Sequence, residues 1–202
     1  MRPTRQHVAL AAFAAGALGL LAIVWVVVMP QLRPDPGPTP VSTVGGPFEL
    51  TTQNGEKLSS ADLAGKPFAV FFGFTHCPDV CPTTLWDISQ ALEDLGSDAD
   101  DLKVLFVSLD PERDTPELLK SYLQSFDPRI VGLTGDRPSV EAMARAYRVY
   151  WKKVPLEGDD YTLDHTAGIY LMDGQGRFVE MISYQASEKD RVEKLRRLVE
   201  RS

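Results

Sequence analysis

The chain has 202 residues, 44% hydrophobic and 24% charged, which is enough for one globular domain with additional segments and excludes a disordered or collagenous chain. Its two cysteines are too few for a disulfide-stapled scaffold. Acidic residues outnumber basic ones 28 to 21, and Arg2 and Arg5 precede the first acidic residue, so the part beyond residue 30 is more acidic than the net −7 suggests. Such a surface argues against nucleic acid or anionic lipid as the main ligand.

The N-terminus, residues 1–7, carries Arg2 and Arg5 and is followed by Val8 to Met29, 22 residues dominated by Ala, Leu, Val, Ile, Gly, Phe and Trp. At about 1.5 Å per residue this run reaches roughly 33 Å, enough to cross a hydrocarbon core. A cleaved signal peptide would have an apolar region of only about 7 to 15 residues and a small-x-small site after it, and Val26 to Leu32 offers none. The sequence therefore predicts an uncleaved transmembrane anchor over 8–29. Arginines before the span place the N-terminus in the cytoplasm and the rest of the chain in an oxidising, extracytoplasmic compartment. Pro30, Pro34, Pro36, Pro38, Pro40 and Pro47 mark an extended tether over 30–45, so the domain proper is expected over 46–202.

The domain opens with a hairpin pattern, Phe48 to Thr51 and Lys57-Leu58 around Asn54-Gly55. Apolar Phe68 to Phe74 reads as a buried strand. Leu85, Ile88, Leu92 and Leu95 recur at helical spacing. Leu102 to Leu109 is the next strand, followed by a helix over Pro116 to Phe126, proline first. A short strand over Ile130 to Leu133 and a helix from Ser139 to Tyr147, capped by Ser139, come next. Lys152 to Leu163, with Pro155 and Gly158, reads as a mobile loop. Ala167 to Met172 and Phe178 to Ser183 flank the turn Asp173-Gly174-Gln175-Gly176, and a helix over Ser187 to Arg201 closes the chain. Parallel crossovers followed by a terminal hairpin describe an α/β fold, a thioredoxin-like mixed sheet sandwiched by helices.

Cys77 and Cys81 stand where the Phe68 strand gives way to the first helix. Four residues apart on a helix, their α-carbons would lie about 6 Å apart, within reach of a disulfide or of a shared metal. Because Pro82 disfavours helical geometry at the residue before it, Pro82 is expected at the first helical position, with Cys81 as N-cap. The helix's positive end would then favour a thiolate. A purely structural disulfide would close a very small loop and contribute little stability. Two soft thiolates suit copper(I) or zinc, and a nitrogen ligand would complete the shell. Of the three histidines, His7 borders the membrane span. His76 adjoins Cys77 and would point the other way in extended backbone. His165 enters the last hairpin, whose leading loop faces the cysteines in a thioredoxin-like topology.

Together these segments name a family. Phe72-Gly73-Phe74-Thr75-His76-Cys77-Pro78-Asp79-Val80-Cys81-Pro82, Val107 to Thr115, Val131 to Gly135, Ala146 to Tyr150 and Asp164-His165-Thr166 resemble the Sco (SenC/PrrC) family of copper-binding cytochrome c oxidase assembly factors. The resemblance implies that Cys77, Cys81 and His165 bind one copper ion, with Asp164-His165-Thr166 standing in the slot where thioredoxin-like relatives carry a cis-proline. It implies copper(I) as cargo, with His165 extending tolerance to copper(II). Cytochrome c oxidase subunit II, through its CuA site, is the implied recipient, an extracytoplasmic copper chaperone the donor and a thiol reductase a further partner. Bacterial members imply a single-pass protein of the inner (cytoplasmic) membrane with a periplasmic domain.

A thiol-disulfide oxidoreductase needs only the redox-active pair Cys77 and Cys81 and is the competing function. A peroxidase would need a threonine and an arginine in support, and Thr75 and Arg113 have no assigned place. Asp164 is a candidate to orient His165. Asp98, Asp100 and Asp101 read as a solvated loop, Met143, Met172 and Met181 as core, and Asp110, Glu112, Arg113 and Asp114 as local capping and pairing.

Overall fold

Phe68–Gly73 (β3) is six residues long and buried throughout, as a strand covered on both faces must be. It is the centre of the computed structural model, which describes residues 44–201 and, before them, Trp25 alone. The expected anchor over 8–29, Trp25 apart, and residues 30–43 of the expected tether over 30–45 lie outside the described residues. Among those described, no helix is long and apolar enough to cross a membrane. The chain divides into two units, Met1–Val41 and Ser42–Ser202, and residues 44–201 belong to the second.

Strand β3 pairs in parallel with β4 (Lys103–Ser108), which pairs in parallel with β5 (Ile130–Thr134). On its other side β3 meets β8 (Gly168–Met172), antiparallel, and β8 meets β9 (Phe178–Ser183). The hairpin of β1 (Glu49–Thr52) and β2 (Lys57–Ser59) joins β5 and completes a seven-stranded mixed sheet, ordered β2-β1-β5-β4-β3-β8-β9. Thr52 Oγ1 accepts the N–H groups of Asn54 and Glu56, and Gly55 at φ +82° turns the hairpin as its Asn-Gly signal requires.

Successive side chains of β3 point to opposite faces. Phe71 packs on Phe106, which meets Tyr122 of helix α2 (Pro116–Leu123) at 5.9 Å between ring centroids. Phe72 meets Tyr147, at the end of α3 (Arg137–Ala146), at 5.4 Å. Helix α1 (Val80–Leu95) buries Cys81, Leu85, Ile88, Leu92 and Leu95 at the expected spacing, and α4 (Glu188–Glu200) buries Leu195 and Leu198. Helices on both faces of a mixed sheet give the thioredoxin-like α/β fold that the sequence predicts.

Several local expectations are corrected. Asp136, not Ser139, caps α3: its carboxylate accepts from Ser139 N at 2.7 Å, and the helix starts two residues earlier than expected. The expected mobile loop over 152–163 is instead a two-stranded antiparallel ribbon, β6 (Trp151–Pro155) and β7 (Tyr161–His165), pairing only with itself. Met143 and Met172 are core residues, but Met181 is 43% exposed because it lies on the edge strand β9. Asp98, Asp100 and Asp101 are exposed as expected, with Asp98 and Asp101 paired to Arg196 and Lys66.

Candidate metal centre

The site forms where β3 ends. Gly73 closes the strand, and an added Cβ there would stand 2.7 Å from Cys81 Sγ and 2.7 Å from the Phe106 ring. Only glycine lets the first turn of α1 come this close to the sheet. Asp79 is the N-cap residue and the helix begins at Val80, so Cys81 is not the cap but lies inside the first turn, with Pro82 directly after it. Pro82 is harmless there, since a first-turn N–H has no partner within the helix. The consequence is that Cys81 faces inward and is fully buried, whereas Cys77 in the preceding loop is half-buried.

Neither cysteine is in a disulfide. The Cys81 backbone N–H points to Cys77 Sγ at 3.4 Å, so a free helix-end donor serves the thiol one turn earlier. The hydrogen bond from the Cys81 thiol, joined by the N–H groups of Cys81 and Asp79, holds Cys77 down at about 4 despite partial burial. Cys81 is pushed far up, first by that same bond to Cys77 and then by burial. Cys77 is thus the sulfur favoured to ionise first, and Cys81 the one favoured to keep its proton.

His165 ends β7 and brings Nε2 to 3.7 Å from Cys81 Sγ. Its Nδ1 lies 3.0 Å from the Thr166 carbonyl, an acceptor, which assigns the ring proton to Nδ1 and leaves the Nε2 lone pair facing the thiols. Thr166 is itself fixed to Tyr150, whose carbonyl accepts from Thr166 N at 3.0 Å and whose N–H donates to Thr166 Oγ1 at 3.1 Å. Phe74 stands edge-on to the imidazole, 5.8 Å between centroids. The carbonyl of Thr166, not the exposed carboxylate of Asp164, therefore orients the ring. No cis peptide occurs among the described residues.

The donor atoms of Cys77, Cys81 and His165 all lie within 4.8 Å of one another. A metal–sulfur bond of about 2.3 Å and a metal–nitrogen bond of about 2.0 Å, about 120° apart, separate sulfur from nitrogen by about 3.7 Å. The spacing between Cys81 and His165 matches that value. Two sulfurs and an imidazole form a soft set suited to copper(I). His76, with its side chain half exposed, instead contacts Thr75 Oγ1 at 3.1 Å and stays outside the cluster.

Sequence reasoning missed the support beneath these three side chains. Asp114 is fully buried and accepts from Thr75 N at 3.0 Å, Thr75 Oγ1 at 2.5 Å and Ser108 Oγ at 2.6 Å. Asp110, equally buried, accepts from Arg113 Nε and from the Tyr161 hydroxyl at 2.7 Å. Thr75 and Arg113 are thus engaged with carboxylates, and neither has a hydrogen bond to a cysteine, which removes the support a peroxidase reading needs. The polar run from Asp110 to Asp114 between an apolar strand and a helix was the available signal, though its burial was not readable.

Comparison with known proteins points the same way. The family model described as SCO1/SenC matches residues 36–200. The mitochondrial "Protein SCO1 homolog" of Homo sapiens is 46% identical over 140 residues, 68% of this chain and 46% of that protein. The SCO2-like protein of Rickettsia prowazekii is 39% identical over 152 residues, 74% of either chain. The chain thus spans about half the length of the human relative and three quarters of the rickettsial one. The solved structure of Bradyrhizobium japonicum ScoI with copper bound is 51% identical, with a TM-score of 0.72, covering 77% of this chain and 99% of that one.

Proposed function

Since the chain belongs to the SCO1/SenC family, we propose that it is a copper carrier that holds one ion through Cys77, Cys81 and His165 and serves the assembly of cytochrome c oxidase. The observation that carries this reading is the convergence of two sulfurs and one imidazole nitrogen from α1, its preceding loop and β7 within 4.8 Å. Copper(I) takes the two sulfurs, and the Nε2 lone pair supplies the third ligand and extends the site to copper(II). Half-burial leaves Cys77 reachable by an incoming thiolate, so ligand exchange with a recipient's cysteines moves the ion without releasing it to water. The recipient in this reading is the CuA site of subunit II, the donor an extracytoplasmic copper chaperone. The segment over 8–29 is the anchor in the bacterial inner membrane and 30–45 the tether presenting the domain 46–202 in the periplasm.

Anaerobic copper(I) titration of the full chain against a competing chelator tests the proposal. One ion should be retained by the wild type, with sharp loss in Cys77→Ser and Cys81→Ser. Another stoichiometry, or wild-type retention by both variants, would sink it.

The state of the thiols favours a second reading, reduction of a recipient's disulfide. The Cys77 thiolate attacks one sulfur of that disulfide, forming a mixed disulfide and releasing the other sulfur as a thiolate. Cys81, losing its proton, then attacks Cys77 Sγ, leaving a Cys77–Cys81 disulfide and a reduced recipient. A thiol reductase must restore the pair.

A further inference from the structure

His165 rides on a ribbon with no strand partner in the seven-stranded sheet. A lone two-stranded hairpin is marginal in water, so something else must hold the imidazole at its distance from the thiols. On β7, Tyr161, Leu163 and His165 alternate onto one face, and Leu163 is buried. Tyr161 and His165 lie about 13 Å apart along the strand. The base of the ribbon is tied through Tyr150 and Thr166, while its far end meets the segment between β4 and α2.

That segment grips Tyr161 from several directions. The Tyr161 hydroxyl donates to Asp110 at 2.7 Å, and Arg113 Nη1 donates to the Tyr161 carbonyl at 3.0 Å. The guanidinium lies 3.8 Å from the centroid of the Tyr161 ring and also bonds Asp160 at 3.1 Å. Lys153 Nζ stands 4.1 Å from the ring centroid while paired to Glu112 at 2.8 Å. The same segment is internally stiff, since Arg113 N and Asp114 N both donate to the Asp110 carbonyl and Asp110 N donates to Ser108 Oγ. Its last residue, Asp114, holds Thr75, two residues before Cys77.

We propose that residues 110–114 act as a gauge between the two halves of the site, with Asp110, Arg113 and Tyr161 as positioning residues that hold the His165 ribbon at a fixed distance from the cysteine loop. The gauge touches neither donor set directly; it fixes Thr75 at one end and Tyr161 at the other. The inference rests on the copper-carrier reading, because a metal needs all three donors at set separations, whereas disulfide exchange needs only the two sulfurs.

Tyr161→Phe removes one hydroxyl and keeps the stack, and Arg113→Lys keeps the charge but loses the planar fork. The measurements are hydrogen exchange of the copper-free full chain and the rate of copper(II) release from the loaded one. In either variant, amides of residues 161–165 should exchange about tenfold faster or more, as loss of a hydrogen bond to a charged group implies, while those of β3 keep wild-type rates. Copper(II) should leave faster by a similar factor. Wild-type exchange in the ribbon, faster exchange that extends to β3, or faster ribbon exchange with unchanged copper release would each overturn the proposal. Should Arg113→Lys fail to fold, Tyr161→Phe decides alone. A wild-type chain that retains no copper would sink the carrier reading instead, and the exchange contrast would still report whether the ribbon is held.

Discussion

Cys81 Sγ and His165 Nε2 lie 3.7 Å apart although 84 residues separate them along the chain. One belongs to a helix turn pressed against the sheet, the other to a ribbon outside it. Chemistry that needs both is therefore sensitive to the ribbon, and chemistry that needs only the thiols is not.

His165→Ala separates the two. Copper(II) retention should fall more than about 100-fold, beyond the 10–100-fold typical of groups one shell further out. Reduction of a small disulfide should proceed at close to the wild-type rate, since Cys77 and Cys81 keep their mutual bond. Equal losses in both assays would mean that the imidazole serves the thiols rather than a metal.

Gly73→Ala should be costly in spite of the entropy it removes from the unfolded chain. The gain on that side is about 0.4–1 kcal/mol. Against it, the new methyl meets Cys81 Sγ and the Phe106 ring, each at 2.7 Å, and overpacking of this kind costs about 1–3 kcal/mol. Neither neighbour can retreat easily, one lying in a helix's first turn and the other in the central core. The urea midpoint of the reduced protein should drop, and a midpoint at or above wild type would contradict the close approach.

Much of this arrangement was legible in the sequence, for identifiable reasons. Strand β3 and helix α1 advertise themselves because burial demands a continuous apolar run in one and a three-to-four spacing in the other. Cys77 and Cys81 stand out as the only cysteines, and His165 followed once the topology was assumed. The ribbon did not, because Leu163 alone among residues 151–165 is buried; β6 and β7 are stabilised by each other and by charged contacts, so they carry no apolar alternation. Asp110 and Asp114 were hidden for a related reason. Carboxylates are seldom fully buried, and these two are buried because of partners 51 and 39 residues away, Tyr161 and Thr75.

The hydrogen bond from Cys81 to Cys77 predicts a pH dependence in the reduced, metal-free protein. A hydrogen bond to the thiolate favours the charged form, so its titration moves down from 9.0 to about 4. Alkylation by iodoacetamide should therefore climb as pH rises through about 4 and be nearly level from pH 6 to 8, where an ordinary thiol would still be gaining reactivity with each pH unit. Cys81→Ala removes the largest cause of the shift and should carry the midpoint upward. A wild-type profile that rises through pH 8–9 would refute Cys77 as the sulfur that ionises first.

Asp114→Ala tests whether support beneath the cysteine loop matters without touching Cys77, Cys81 or His165. The substitution deletes the acceptor for Thr75 N, Thr75 Oγ1 and Ser108 Oγ at a position with no solvent access to replace it. Charge-assisted hydrogen bonds contribute about 1.5–3 kcal/mol each, but relaxation and the surviving contact of Ser108 Oγ with Asp110 N offset part of the sum. A net loss of about 2–4 kcal/mol is expected in urea unfolding, large enough to exceed the ordinary effect of a point change. Asp114→Asn keeps one carboxamide oxygen as an acceptor and should lose less. Because Thr75 lies two residues before Cys77, the alanine variant should also release copper(I) faster under conditions where it remains folded. An unchanged midpoint would show that the buried carboxylate does not hold this loop, and a lowered midpoint with wild-type copper release would confine its role to the fold.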